Sequence, residues 1–271
     1  MAIRHSGDLD REVVPSSGPV GTVTDMSNPV SDAVRAGVES LHDSVAEVAE
    51  RLDDLKPKLR GWLHLATAPL TLAAGIVLIA LSPDSTTRIG SAVFIASALV
   101  LFTVSAIYHT GTWSPRAWAF LRRFDHANIF VLIAGTYTPF SLLLLHGTSQ
   151  VVLLVTVWSG AVLGVLFRVF WTDAPRWLFV PIYMALGWAA IFFIPGFFHG
   201  ATALGVGVGI AVFVLIGVGG ALYTVGGVVY GFRRPNPSPR WFGFHEVFHS
   251  FTVLAFVSHY VGISMATYAL R

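Results

Sequence analysis

The chain has 271 residues, 54% of them hydrophobic and 12% charged, with no cysteine and a formal net charge of +2, and its mean hydropathy is +0.69. That composition excludes a soluble domain and points to a polytopic membrane protein. Without cysteine there are no disulfides, thiolate ligands or cysteine nucleophiles, so any metal must be held by imidazole and oxygen.

Charge is spread unevenly. Of the 15 acidic residues, 11 fall in positions 1 to 55, which leaves Asp84, Asp125, Asp173 and Glu246 for the rest. The isoelectric point near 9.1 gives no support for nucleic-acid binding, because the basic residues sit in short loops beside apolar runs, where membrane insertion accounts for them. The expected partner is membrane lipid, as environment and as a possible substrate; oligomeric state is left open.

In chain order, residues 1–35 are rich in Ser, Gly, Pro, Asp and Val without periodicity and read as a disordered acidic tail. They hold no apolar stretch of signal-peptide type, so the first membrane helix is expected to act as its own insertion signal. Residues 36–57 read as an amphipathic cytoplasmic helix. Val38, Leu41, Val45, Val48, Leu52 and Leu55 recur at three- and four-residue steps with acids and arginines opposite. Residues 58–271 form the membrane domain. Apolar runs near 62–82, 90–109, 127–146, 151–170, 177–198, 201–226 and 243–269 match the ~20 residues needed to cross a bilayer. The fold class is therefore all-α, with seven transmembrane helices.

Lys and Arg set the orientation. One set of loops carries Lys56, Lys58, Arg60, Arg116, Arg122, Arg123, Arg168, Arg176, Arg233, Arg234 and Arg240; the opposite set carries Arg88 and Arg271. This alternation predicts a plasma-membrane protein with its N-terminus in the cytoplasm and its C-terminus outside.

Ionisable residues inside a membrane are costly and mark functional sites by default. His109 closes the second span, Asp125 opens the third, and His245 and His249 open the seventh. All four are expected at the cytoplasmic side and at one depth. Ser105 and His109 are four residues apart, as are His245 and His249, so each pair shares a helix face. Two imidazoles at that spacing and a third from another helix make a three-histidine set with an open position, for which zinc is the first expectation; iron, copper and nickel also suit imidazole. His64, His146 and His199 read as interface residues that snorkel or cap. His126 reads as supporting rather than ligating. His259 lies about three turns from His245, too far to share an ion.

His245-Glu246-Val247-Phe248-His249 also fits the H-E-x-x-H pattern of zinc proteases. A protease of that type needs a third ligand further along, and only the distant His259 follows, so the third ligand must come from upstream and Glu246 is expected to face away from the metal.

Together, Ser105-Ala-Ile-Tyr-His109, Asp125 within FDHANIFVLIAGTYTPF, and His245-Glu-Val-Phe-His249 followed by His259-Tyr260 resemble the hemolysin III family, the bacterial branch of the progestin and adipoQ receptor superfamily. The resemblance covers about residues 58 to 270. It implies zinc held by His109, His245 and His249, with Asp125 contacting the water at the metal and Ser105 close by. One motif departs: where the family commonly has an acidic residue and an Asn ahead of a His in the first span, this chain reads Lys58-Leu-Arg60-Gly-Trp-Leu-His64, and only His64 matches.

Two functions follow as expectations. In one, a zinc-dependent hydrolase cleaves a lipid amide or ester bond, with Asp125 and Ser105 as catalytic residues and a role in membrane homeostasis or hemolysin-like cytolysis. In the other, the metal is a structural staple in a non-catalytic membrane sensor or pore.

Overall fold

The computed structural model describes residues 29–53 and 57–271; most of the expected tail, residues 1–28, lies outside the described residues. The first helix, α1 (Pro29–Asp53), begins seven residues before the expected boundary, so positions 29–35 are helical and not tail. A proline at the first helical position has its φ already set, and Asp32 in the first turn complements the helix dipole. Val38, Leu41 and Val45 lie exposed along α1; positions 54–56, at the end of the expected amphipathic segment, lie outside the described residues.

Residues 57–271 form a separate body of membrane-spanning length. Its helices are α2 (Trp62–Ala80), α3 (Ser85–Thr110), α4 (Pro115–Leu144), α5 (Gly147–Phe170), α6 (Arg176–Gly187), α7 (Ile194–Ala203), α8 (Val206–Phe232) and α9 (Phe244–Tyr268). With α6 and α7 joined as one span, seven helices among the described residues are long and apolar enough to cross a membrane. Consecutive spans pack side by side, and α2 meets α9 to close the ring. In α4, 72% of the apolar window is buried, the highest share of the seven, which makes it the central helix; it touches α3, α5, α6, α7 and α9. The lipid-facing helices leave large apolar side chains such as Val155, Leu163 and Phe192 exposed, as a bilayer requires.

Two spans differ from the hydropathy reading in a way that matters for the site. Helix α4 starts at Pro115, not near 127, because Ser114 caps it by accepting from the Ala117 amide at 3.4 Å and Pro115 fills the first turn. Its first turns carry Arg116, Arg122 and Arg123, which a hydropathy window passes over. Asp125 therefore lies ~15 Å along a continuous helix rather than at its mouth.

The fifth span is not one α-helix. A 3₁₀ segment, Trp188–Phe193, separates α6 from α7, and Pro195 occupies the first turn of α7, where it cannot continue an i→i−4 ladder. Tyr137 of α4 repairs part of the break. Its hydroxyl donates to the Gly187 carbonyl at 2.6 Å and accepts the Ala190 amide at 2.8 Å. Backbone groups freed inside a membrane need such partners.

At the arginine-rich end, the segment before α2 is laced to the loop between α8 and α9. The Lys58 and Leu59 amides donate to the carbonyls of Arg240 and Trp241 at 3.0 and 3.2 Å. Gly61 then turns the chain into α2 with φ of +87°, and a Cβ there would lie 2.7 Å from the His109 Cβ. Both the left-handed backbone and the close approach require glycine.

Candidate metal centre

His109 lies in the last turn of α3, and His245 and His249 lie in the first two turns of α9. Each offers one ring nitrogen within 4.8 Å of the others, and His109 and His249 are buried. The Nε2 atoms of His109 and His245 are 3.2 Å apart, close to the ~3.3 Å edge of a tetrahedron with metal–nitrogen bonds near 2.0–2.1 Å. The Nδ1 atom of His249 is buried with no hydrogen-bond partner among the described residues. One proton between the two Nε2 atoms would satisfy them as a hydrogen bond, and the same separation suits two ligands of one ion. The donor set fits a metal ion.

The expected carboxylate arrives from α4. Asp125 Oδ2 is 3.7 Å from His109 Nε2, and its side chain is 11% exposed. Ser105, one turn before His109 and buried, puts its hydroxyl within hydrogen-bonding range of the Asp125 carboxylate. Residues from the second, third and seventh spans thus meet at one point. His126 faces elsewhere: its Nδ1 lies 2.7 Å from the Arg122 carbonyl and its Nε2 3.4 Å from the Tyr230 hydroxyl. His259 stands apart, with Nε2 3.3 Å from the Ile216 carbonyl and its ring against the bare backbone of Gly219. His146 and His199 are exposed.

Glu246 is fully buried and points away from the histidines. Its Oε1 accepts from Arg60 Nε at 2.9 Å, and its Oε2 accepts from the Gly243 amide at 2.7 Å. The glutamate of H-E-x-x-H here caps α9 and holds down the segment before α2.

His64 departs from the sequence expectation. It is 2% exposed, not snorkelling, and its ring stacks on His249 with centroids 3.9 Å apart and planes 14° apart. Its nitrogens make no hydrogen bond, and Phe102 packs edge-on against its ring at 5.0 Å. His64 acts as a plate that fixes the plane of the His249 ring. Its only sequence signal was the match to the family's opening motif. Tyr230, 5.6 Å from the His245 ring, gave no signal at all.

The cluster lies where two cavities meet. One, of about 690 Å³, runs among apolar side chains including Leu101, Ile129, Phe140, Met184 and Ile216, and is polar chiefly at Ser105, Asp125 and the histidines. It reaches Trp188, Gly217, Gly220 and Thr224. There the Trp188 indole donates to the Thr224 hydroxyl at 3.1 Å, and the glycines leave open space beside α8. The other cavity, of about 680 Å³, is lined by arginines and shares His126, Tyr230 and His245 with the first.

Residues 53–260 match the family model described as "Haemolysin-III related". The chain is 34% identical over 161 residues to a "Hemolysin-3 homolog" of Bacillus subtilis (strain 168), covering 59% of this chain and 69% of that protein. It is 30% identical over 170 residues to "Hemolysin-3" of Bacillus cereus, covering 62% and 74%. With seven spans and a match across most of its length, the chain belongs to the haemolysin-III related family of integral membrane proteins.

Proposed function

We propose that the protein is a zinc-dependent hydrolase of lipid amide or ester bonds, acting in membrane homeostasis or in hemolysin-like lysis from the cytoplasmic side of the plasma membrane. The observation that carries this reading is that three imidazoles, Asp125 and Ser105 converge at the end of an apolar cavity large enough for a lipid chain. His109, His245 and His249 would hold the ion. Zinc so held supplies Lewis acidity, which brings the pKa of water toward 7 and polarises a carbonyl.

The chain's own residues supply the rest. Asp125, anchored through Ser105, accepts the proton of the attacking water as the new C–O bond forms, then returns it to the leaving nitrogen or oxygen as the old bond breaks. Apolar walls hold the acyl chain and exclude bulk water from the reacting carbonyl. The open space between the 3₁₀ segment and α8 gives a lipid a sideways route into the cavity.

The test is Asp125→Asn in a lipid-amide hydrolysis assay run beside a membrane-leakage assay and elemental analysis. The amide keeps the shape but accepts no proton, so hydrolysis should fall 10²–10⁴-fold while metal is retained. An active Asp125→Asn protein refutes the reading. A protein whose leakage phenotype needs the three histidines but not Asp125 has a structural metal.

A further inference from the structure

We propose that the arginine-lined cavity is a binding site for a phosphate group. This goes beyond the hydrolase reading and does not depend on it, since a non-catalytic protein could hold an anion in the same place. The cavity of about 680 Å³ is lined by Arg60, Arg122, Arg168, Arg176 and Arg233, and by one carboxylate, Asp173. Asp173 is 84% exposed and engaged with Arg122 at 3.1 Å. Arg60 is engaged with Glu246.

Insertion topology explains why arginines gather at this end of the bundle, but its rule is met by side chains that snorkel into water. Arg168 does not snorkel. It is 2% exposed, and its Nε and Nη1 are buried with no hydrogen-bond partner among the described residues. A guanidinium cannot shed its proton to escape burial, so a charge in this position is costly unless an anion meets it.

The geometry is prepared for such an anion. The Arg168 guanidinium lies over the Phe179 ring at 4.3 Å, and that of Arg176 lies over Tyr230 at 5.0 Å and Phe244 at 5.3 Å. Stacking on an aromatic face fixes a guanidinium plane, and at Arg168 it leaves Nε and Nη1 to form the forked contact that suits phosphate oxygens. A phosphate could come from a lipid headgroup or from a soluble phosphate ester. The shared position of His245 and Tyr230 on both cavities means that a lipid with its chain in the apolar cavity would set its headgroup among these arginines.

The experiment measures thermal unfolding of the detergent-purified, metal-loaded protein with two pairs of probes: inorganic phosphate against sodium chloride at equal ionic strength, and dihexanoyl phosphatidic acid against dihexanoyl phosphatidylcholine. A saturable rise in Tm with both phosphate probes supports recognition of the phosphate group itself. A rise with phosphatidic acid alone assigns the site to a lipid headgroup, and a rise with inorganic phosphate alone to a soluble ester. No rise with either overturns the proposal. Arg168→Met should keep the resting Tm at or above that of the native protein, since it removes a buried charge two of whose nitrogens lack a hydrogen-bond partner among the described residues, and should abolish the shift. If Arg168→Met does not fold, Arg176→Gln should weaken the half-saturating concentration at least tenfold. A shift that survives both substitutions means that the probe binds the metal or the surface, and the proposal fails. Metal content measured on the same samples keeps this outcome separate from loss of the zinc site.

Discussion

Glu246→Gln distinguishes a structural glutamate from a catalytic one. The native carboxylate is wholly buried and makes two short contacts, to Arg60 at 2.9 Å and to the Gly243 amide at 2.7 Å. Glutamine keeps one carbonyl oxygen, so one contact survives as a neutral hydrogen bond and the other faces an amide N–H. Hydrogen bonds to charged groups contribute about 1.5–3 kcal/mol each, and breaking a buried ion pair costs about 3–5 kcal/mol. Arg60 is 18% exposed at its side chain and regains some hydration, so the loss should sit near the low end, ~3 kcal/mol. In a body of this size that lowers Tm by about 6–12 °C. Metal content should stay at the native level, and hydrolysis per folded molecule should stay within a few-fold of native. Replacing both partners, Arg60→Met with Glu246→Met, should recover most of the loss, because an apolar pair leaves no buried charge behind. The measurement is thermal unfolding in detergent with elemental analysis of the same protein. An unchanged Tm with lost hydrolysis would refute the argument and place Glu246 in the chemistry, as in a zinc protease.

Each of His109→Ala, His245→Ala and His249→Ala should reduce bound metal from one ion per chain to near zero and make Tm insensitive to chelator, because each removes one of three ligands joining distant helices; His259→Ala should retain the metal. His64→Phe should keep both metal and Tm close to native, since a phenyl ring replaces the stack on His249, whereas His64→Ala should cost about 2–4 kcal/mol through the cavity it leaves and weaken metal retention. Reporter fusions should place residue 30 and the 233–240 loop in the cytoplasm and residue 271 outside, as the distribution of Lys and Arg requires; a cytoplasmic C-terminus would overturn the orientation.

The seven spans were legible from runs of about 20 apolar residues, and the histidine set from His245 and His249 four apart on one helix face, with His109 brought to the same side by the alternation of Lys and Arg among the loops. What escaped depended on partners far away in the chain. His64 is a lone histidine at the start of a span, and only the fold brings it onto His249. The break after Gly187 lies in Trp-Ala-Ala-Ile-Phe-Phe, a stretch with neither Gly nor Pro; it becomes intelligible once Tyr137, fifty positions upstream, is seen to bond both sides of it. The start of α4 was misplaced, though not the position of Asp125 beside the histidines, because the arginine-bearing first turns are too polar for a hydropathy count, although Ser114-Pro115 is a start signal in its own right.

The carboxylates of the membrane body narrow the chemistry further. There are four, and three have structural work. Asp84 caps α3 by accepting the Thr87 amide at 2.9 Å, Asp173 pairs with Arg122 at the surface, and Glu246 pairs with Arg60 in the interior. A carboxylate already held by such partners is not placed to meet a water at the histidines. Among the described residues Asp125 has no arginine or lysine as an ion-pair partner; it faces an imidazole at 3.7 Å and the Ser105 hydroxyl. It is also the one of the four that lines the apolar cavity. Of the two carboxylates near the histidines, the one inside the protease-like motif is thus neutralised and turned away, and the one outside it is left facing the cavity, where a proton acceptor would be needed.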